Sequence, residues 1–303
     1  MIDDYPLAPW WVRLTSPVVS RLPLGRYRAA DLLGRPIKPF AMRSPARVGG
    51  FWFACDLRDS ISRHVCFTGG YEPQETVLVG EILQPGMTFV DVGANWGYFT
   101  LLGASRVGPA GRVVALEPDP RMYRLLTDNV ERNRWNHVTC LPVAASAQAG
   151  TVRISGFRES DGNFGLSRIV ASGPGDHVIE AEAQSLDAIL DSLDIACVDL
   201  LKMDIEGAEG FAVAGLARAL EAHRIKRILL ELHPSYLGEH DMTVESVLTP
   251  LIEAGYDGMI VDHSPQATRD AAYGRTRRSA QLLRPYSPDQ PLDEWPHLLW
   301  VAP

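Results

Sequence analysis

From residue 88 onward, apolar runs of strand length alternate with longer stretches of helical spacing. The strand-like runs are 88–92, 112–117, 138–143, 198–203, 226–232 and 257–261, and the helical ones lie at about 97–106, 119–133, 208–221 and 243–254. Such alternation predicts a parallel sheet covered on both faces. Two departures stand out. Residues 151–155 and 178–183 read as an extra β pair around a glycine-rich turn. Residues 297–302, after a long loop over 262–296, read as a last strand that inserts antiparallel beside 257–261. The expected fold class is α/β, with a Rossmann-like, seven-stranded, mostly parallel sheet.

Upstream the pattern is weaker. Prolines at 6, 9, 17, 23, 36, 39 and 45 cut the first 47 residues into short pieces, with room for two short helices between Leu14 and Leu33. Val48 to Leu57 alternates loosely, and Val65-Cys66-Phe67 is expected to pair back on it after a turn at Asp59-Ser60. A helix should follow over Thr76 to Leu83, with Pro73 in its first turn and Glu72 and Glu75 complementing its dipole. The expected division is a helical and hairpin appendage over 1–64 and one domain over 65–303.

The most informative stretch is Phe89-Val-Asp91-Val-Gly93-Ala94-Asn95-Trp96-Gly97-Tyr98-Phe99, a strand, a glycine turn and a helix in order. Glycines at 93 and 97 let the backbone approach a ligand closely. A dinucleotide fingerprint would carry a third glycine and set a pyrophosphate on the helix N-terminus. Here Asp91 places a negative charge beside the ligand position. That suits a phosphate-free ligand with a positive end, such as S-adenosylmethionine (SAM). The next strand ends in Glu117-Pro118, the place from which an acid accepts hydrogen bonds from both ribose hydroxyls.

Beside these motifs stand Gly70-Tyr71-Glu72-Pro73-Gln74-Glu75, Leu186-Asp187, Leu201-Lys202-Met-Asp204-Ile-Glu206-Gly207-Ala208-Glu209 and Leu230-Glu231-Leu-His233. Together, over roughly 65–260, they resemble the FkbM-type family of SAM-dependent methyltransferases. The resemblance implies O-methylation of a hydroxyl on a sugar or secondary metabolite. Trp96 departs from it, standing where a smaller apolar residue is expected.

The residues assigned to the cofactor are Glu72, Asp91, Gly93, Asn95, Gly97, Glu117, Pro118, Ala144 and Asp204. Those assigned to the acceptor and to catalysis are Asp204, Glu206 and His233, since they stand at carboxyl ends of strands. Transfer to an alcohol needs a base; His233 offers a pKa near neutrality and Asp204 a carboxylate. Asp204, Glu206 and His233 holding a divalent metal is the minor alternative, because their spacing forms no compact metal motif. Glu206 and Glu209 have the plainer reading of helix capping, and Lys202 receives no role. Asn163, in a loop between the extra strands, reads equally as a contact for adenine or acceptor and as a simple turn. Arg269, Arg275, Arg277, Arg278 and Arg284 read as a solvated basic surface or, alternatively, as a grip for a phosphate or carboxylate of the acceptor.

Composition narrows the partners. A formal net charge of -8 argues against general nucleic-acid affinity. With the absence of an Asn-Pro-Pro-Tyr motif after the fourth strand, it disfavours an RNA or protein methyltransferase. No apolar run is long enough to span a membrane. Four scattered cysteines form no disulfide framework, which fits a cytoplasmic protein. The apolar N-terminal arm makes a homodimer plausible. The competing reading is a SAM- or nucleoside-binding protein without transferase activity, or a methyltransferase acting on a different acceptor atom.

Overall fold

A computed structural model describes residues 5–35, 37–155, 168–169, 178–276 and 278–303. Its centre is an eight-stranded sheet in the order Leu283–Pro285, Asp257–Val261, His297–Val301, Arg227–Glu231, Leu200–Met203, Thr88–Val92, Arg112–Leu116 and Val138–Leu141. The pairs from Arg227–Glu231 through Val138–Leu141 are parallel. His297–Val301 inserts antiparallel to both neighbours, with Leu298 opposite Leu230 and Ile260. This is the sheet expected from the sequence, with one addition. The loop after residue 261 is not featureless: it holds a helix, Pro265–Ala272, and a short strand, Leu283–Pro285, that caps the sheet edge.

The sheet is apolar on both faces, as near-continuous Val, Leu and Ile runs require. Phe89, Leu101, Leu200 and Leu299 belong to one core, and Val90, Leu201, Leu230 and Trp300 to the other. A second sheet joins Val143–Ala145, Val178–Gln184, Gly150–Ser155 and Arg168–Ile169. The expected extra β pair is its centre, antiparallel from Gly150↔Ala183 to Ser155↔Val178. Asn163 and Arg277 lie outside the described residues.

Two expectations are corrected. Residues 65–67 do not form a strand; Ser60–Thr68 is a helix. Asp59, read as a turn residue, is its N-cap and accepts from Ser62 N at 2.8 Å. The hairpin lies earlier, joining Phe40–Arg43 to Trp52–Cys55. The expected helix over 208–221 is two pieces, Glu209–Ala214 and Ala217–Glu221. The second piece starts under Asp187, whose carboxylate accepts from Arg218 N and Ala219 N, each at 2.9 Å.

The hairpin is fastened to helix Pro120–Asn133 through side chains. Asn133 accepts from Trp52 N at 2.8 Å and donates to Trp52 O at 2.7 Å, while Asn129 accepts from Ala54 N at 2.7 Å. Positions 52 and 54 point their backbone groups to the same side of a strand, and positions 129 and 133 share one face of a helix. Two asparagines four apart therefore continue the ladder of the strand. Asn129 also donates to Trp96 O at 2.8 Å, which ties the appendage to the glycine turn.

Candidate active site

The Thr88–Val92 strand has Arg112–Leu116 on one side and Leu200–Met203 on the other, so the connections diverge there. Ligands of open α/β sheets bind at such a switch point, beyond the carboxyl ends of the strands. A cavity opens at that place, walled by Gly93, Asn95, Trp96, Glu117, Pro118, Ala144, Asp204 and Glu206, among others. Asp91, Gly97, Glu72 and His233 are not among its wall residues.

The floor of the cavity requires glycine. Gly93 has φ +82°, and a Cβ there would meet the Asp204 carbonyl oxygen at 1.9 Å. Gly97 has φ +100° and would meet Leu126 Cδ1 at 2.7 Å. Asn95 also takes a left-handed φ of 53°, and its side chain accepts from Trp96 N at 2.7 Å. Trp96 does not fill the cavity. It stacks on Phe53 of the hairpin at 5.5 Å, so the bulk is absorbed by the appendage.

Glu117 is buried, and its oxygens accept from Asn95 N and Asp119 N, each at 2.8 Å. Burial nevertheless pushes its pKa up to about 8. A carboxylate has acceptor capacity beyond two bonds, so donors arriving from a ligand would draw it back toward the charged form. Asp91 is buried too and accepts from Thr100 Oγ1 at 2.6 Å. Burial raises its pKa, against the pull of Lys202.

Lys202 is the residue the sequence reading left without a role. It stands in register with Asp91 on the neighbouring strand. Its buried ammonium lies 3.1 Å from Asp204 Oδ2 and 4.6 Å from the centre of the Phe99 ring. Burial pulls its pKa down, but Asp204, Glu72, Asp91 and Glu231 together hold it above the ordinary lysine value. It is a fixed cation that keeps Asp204 ionised: burial raises the Asp204 pKa, and Lys202 and His233 more than reverse it. A lone lysine inside an apolar strand was the available signal, since a buried ammonium needs an acid opposite.

His233 departs from expectation in another way. It is buried, with Nδ1 2.7 Å from Glu209 Oε1 and Nε2 3.4 Å from Glu206 Oε2 and 3.5 Å from Glu231 Oε1. Burial pulls its pKa down, but the surrounding carboxylates lift it to about 11. That environment favours the protonated ring over the free base. Glu209 also accepts from Gly207 N at 3.0 Å, so it anchors the turn as well as the imidazole. Glu206 sits at φ +51° at the cavity wall, and burial lifts its pKa to about 7. Asp204, Glu206 and His233 do offer ligand atoms within 4.8 Å of one another, a closeness their spacing in sequence concealed.

Glu72 forms the N-cap of helix Pro73–Ile82 at φ +38°, with one oxygen buried and unpartnered among the described residues. Burial lifts its pKa to about 8. Glu75 does lie in the first turn of that helix, but it is buried and contacts His263 and His297. Of the arginine cluster, Arg278 borders a second groove with Arg47 and Arg106, which shares Tyr71 with this cavity.

The sequence profile of the FkbM methyltransferase domain matches residues 91–257, more than half of the chain. The chain is 28% identical over 209 residues to the 31-O-demethyl-FK506 methyltransferase FkbM of Streptomyces tacrolimicus, covering 57% of this chain and 78% of that one. It is 39% identical over 88 residues to a protein-L-isoaspartate O-methyltransferase of Triticum aestivum, 29% of this chain and 34% of that one. It is 31% identical over 186 residues to the AMB antimetabolite synthetase AmbE of Pseudomonas aeruginosa, 51% of this chain and 9% of that one. The match thus spans about a third of the Triticum enzyme and about a tenth of AmbE. On the extent of the profile match, with its motifs gathered around one cavity, the chain belongs to the FkbM methyltransferase domain family.

Proposed function

We propose that this protein is a SAM-dependent O-methyltransferase whose acceptor is a hydroxyl of a sugar or secondary metabolite. The observation that carries the reading is the single cavity in which the Gly93 turn and the Glu117 carboxylate meet Asp204 and Glu206. The residues fit the cofactor: the glycine leaves room for a close ligand, and Glu117 is a buried acceptor whose pKa waits on incoming donors. Glu117 would hold the ribose hydroxyls, Gly93, Asn95, Pro118 and Ala144 the nucleoside, and Asp91 and Asp204 the cationic end of the ligand, with Glu72 behind them as a buried hydrogen-bonding acid. SAM supplies a methyl group already activated on a sulfonium.

The chain has two tasks beyond binding. It must align an acceptor oxygen, and it must take that oxygen's proton. Glu206 is the best-tuned base, since its pKa is about 7 and it stands at the cavity wall. Asp204, kept ionised by Lys202, orients the acceptor, and the His233 imidazolium holds Glu206 in place. The test is turnover of Glu206→Gln against SAM and a panel of sugar and polyketide-type alcohols. Retained cofactor binding with lost turnover supports the assignment, and unchanged turnover removes it.

A cytoplasmic protein with a small-molecule acceptor belongs to the same reading. No helix among the described residues is long and apolar enough to cross a membrane, and all four cysteines are unpaired. A homodimer through the N-terminal arm also belongs to it, supported by the exposure of Trp10, Leu14 and Val18 along one helix. Light scattering of the purified chain tests it. The division into an appendage over 1–64 and a catalytic domain over 65–303 is part of the proposal.

A further inference from the structure

Glu75 lies in the first turn of helix Pro73–Ile82, His263 follows strand Asp257–Val261, and His297 opens strand His297–Val301. These three elements come from distant parts of the chain. Glu75 Oε1 sits 2.8 Å from His263 Nε2 and 3.0 Å from His297 Nδ1. The two imidazoles stack with ring centres 4.2 Å apart. The other oxygen of Glu75 is buried and has no hydrogen-bond partner among the described residues. None of the three side chains has a part in the methyl transfer described above.

Among the described residues, three groups bring ligand atoms within 4.8 Å of one another. Two of them include Asp204, whose oxygen lies 3.1 Å from the Lys202 ammonium. A dication there would face a fixed positive charge at close range. The third group is Glu75, His263 and His297, and its ligand atoms are a carboxylate oxygen and two imidazole nitrogens, with no lysine or arginine among them. Behind His297, Nε2 lies 3.5 Å from Glu231 Oε1. A carboxylate behind a ligating imidazole fixes its orientation and strengthens it as a donor.

We propose that Glu75, His263 and His297 form a divalent-metal site, separate from the acceptor cluster, that clamps the Pro73–Ile82 helix to the far half of the sheet. Two nitrogens and one carboxylate oxygen suit Zn²⁺ or a similar first-row transition ion and disfavour Mg²⁺ and Ca²⁺. The site rests on the fold and not on the methyltransferase reading, so either can fail alone.

The test uses the full chain without an affinity tag, dialysed against EDTA and then titrated with ZnCl₂ or MgCl₂ by calorimetry. Saturable binding of one Zn²⁺ per chain, with no response to Mg²⁺, is the expected result. His263→Ala should weaken that binding by more than about tenfold, and Asp204→Asn should leave it unchanged. Absence of saturable Zn²⁺ binding overturns the proposal, as does binding that survives His263→Ala. Loss of binding in Asp204→Asn would put the ion in the acceptor cluster instead and overturn it too. Should His263→Ala not fold, the cobalt(II) form of the unmodified chain decides. Visible bands of imidazole-ligated cobalt support the site, and the weak spectrum of the aquo ion contradicts it.

Discussion

Lys202 and Glu206 divide the electrostatic work of the site. The ammonium is enclosed by Asp91, Asp204, Glu72 and Glu231, so removing it leaves several buried acids without a counter-charge. Lys202→Met should destabilise the protein by about 3–5 kcal/mol at neutral pH, read from denaturant unfolding. The loss should shrink as the solution is acidified. Stranded carboxylates have folded pKa values above their unfolded ones, so their penalty grows as pH rises and fades once they are protonated. In the proposed role of base, Glu206 would act only when ionised. With a pKa of about 7, kcat/KM should rise with pH through that value and then level off. In Glu206→Gln that rising limb should vanish along with most of the turnover, while S-adenosylhomocysteine binding persists. An unchanged pH profile in the variant would assign the base elsewhere. Sequence reasoning grouped Glu206 with Asp204 and His233 on the acceptor side and left the base open between His233 and Asp204. It missed that three carboxylates surround His233, because Glu206, Glu209 and Glu231 converge only after two strands and a helix start have been brought together.

At the scale of elements, most strands and helices after residue 88 were legible because each buries a repeating apolar face, and their alternation pointed to a mostly parallel sheet, though not to its strand order. The appendage was less legible. Asp59-Ser60 reads equally as a turn or as a helix start, and only the burial of Ile61, Val65 and Cys66 on one helical face decides it. The fastening of the hairpin by Asn129 and Asn133 had no sequence signal beyond their spacing. Asn129→Ala would leave Ala54 N and Trp96 O unpaired in a buried place and should cost about 1–3 kcal/mol. Because the second bond holds the glycine turn, the same variant should weaken cofactor binding; unchanged stability and affinity would make that bridge incidental. Gly93→Ala is the sharper perturbation. Its Cβ would meet backbone at 1.9 Å, and neither strand can yield, so loss of cofactor binding or of folding is expected. A stable variant with normal affinity would contradict the tight approach of the two strands.

Over the whole molecule, one mostly parallel sheet carries Glu117 and the Asp204–Glu206 segment at the same end, and the N-terminal appendage packs against the glycine turn between them. Phe53 against Trp96 and the Asn129 bridge are the contacts through which the appendage acts. The identity of the ligand in that cavity decides the function, and calorimetric titration with S-adenosylhomocysteine tests it most directly. The expected result is saturable binding of one molecule per chain, with NAD showing none, and a loss of about 1.5–3 kcal/mol in Glu117→Ala. Failure to bind S-adenosylhomocysteine, a preference for NAD, or full affinity in Glu117→Ala would contradict it.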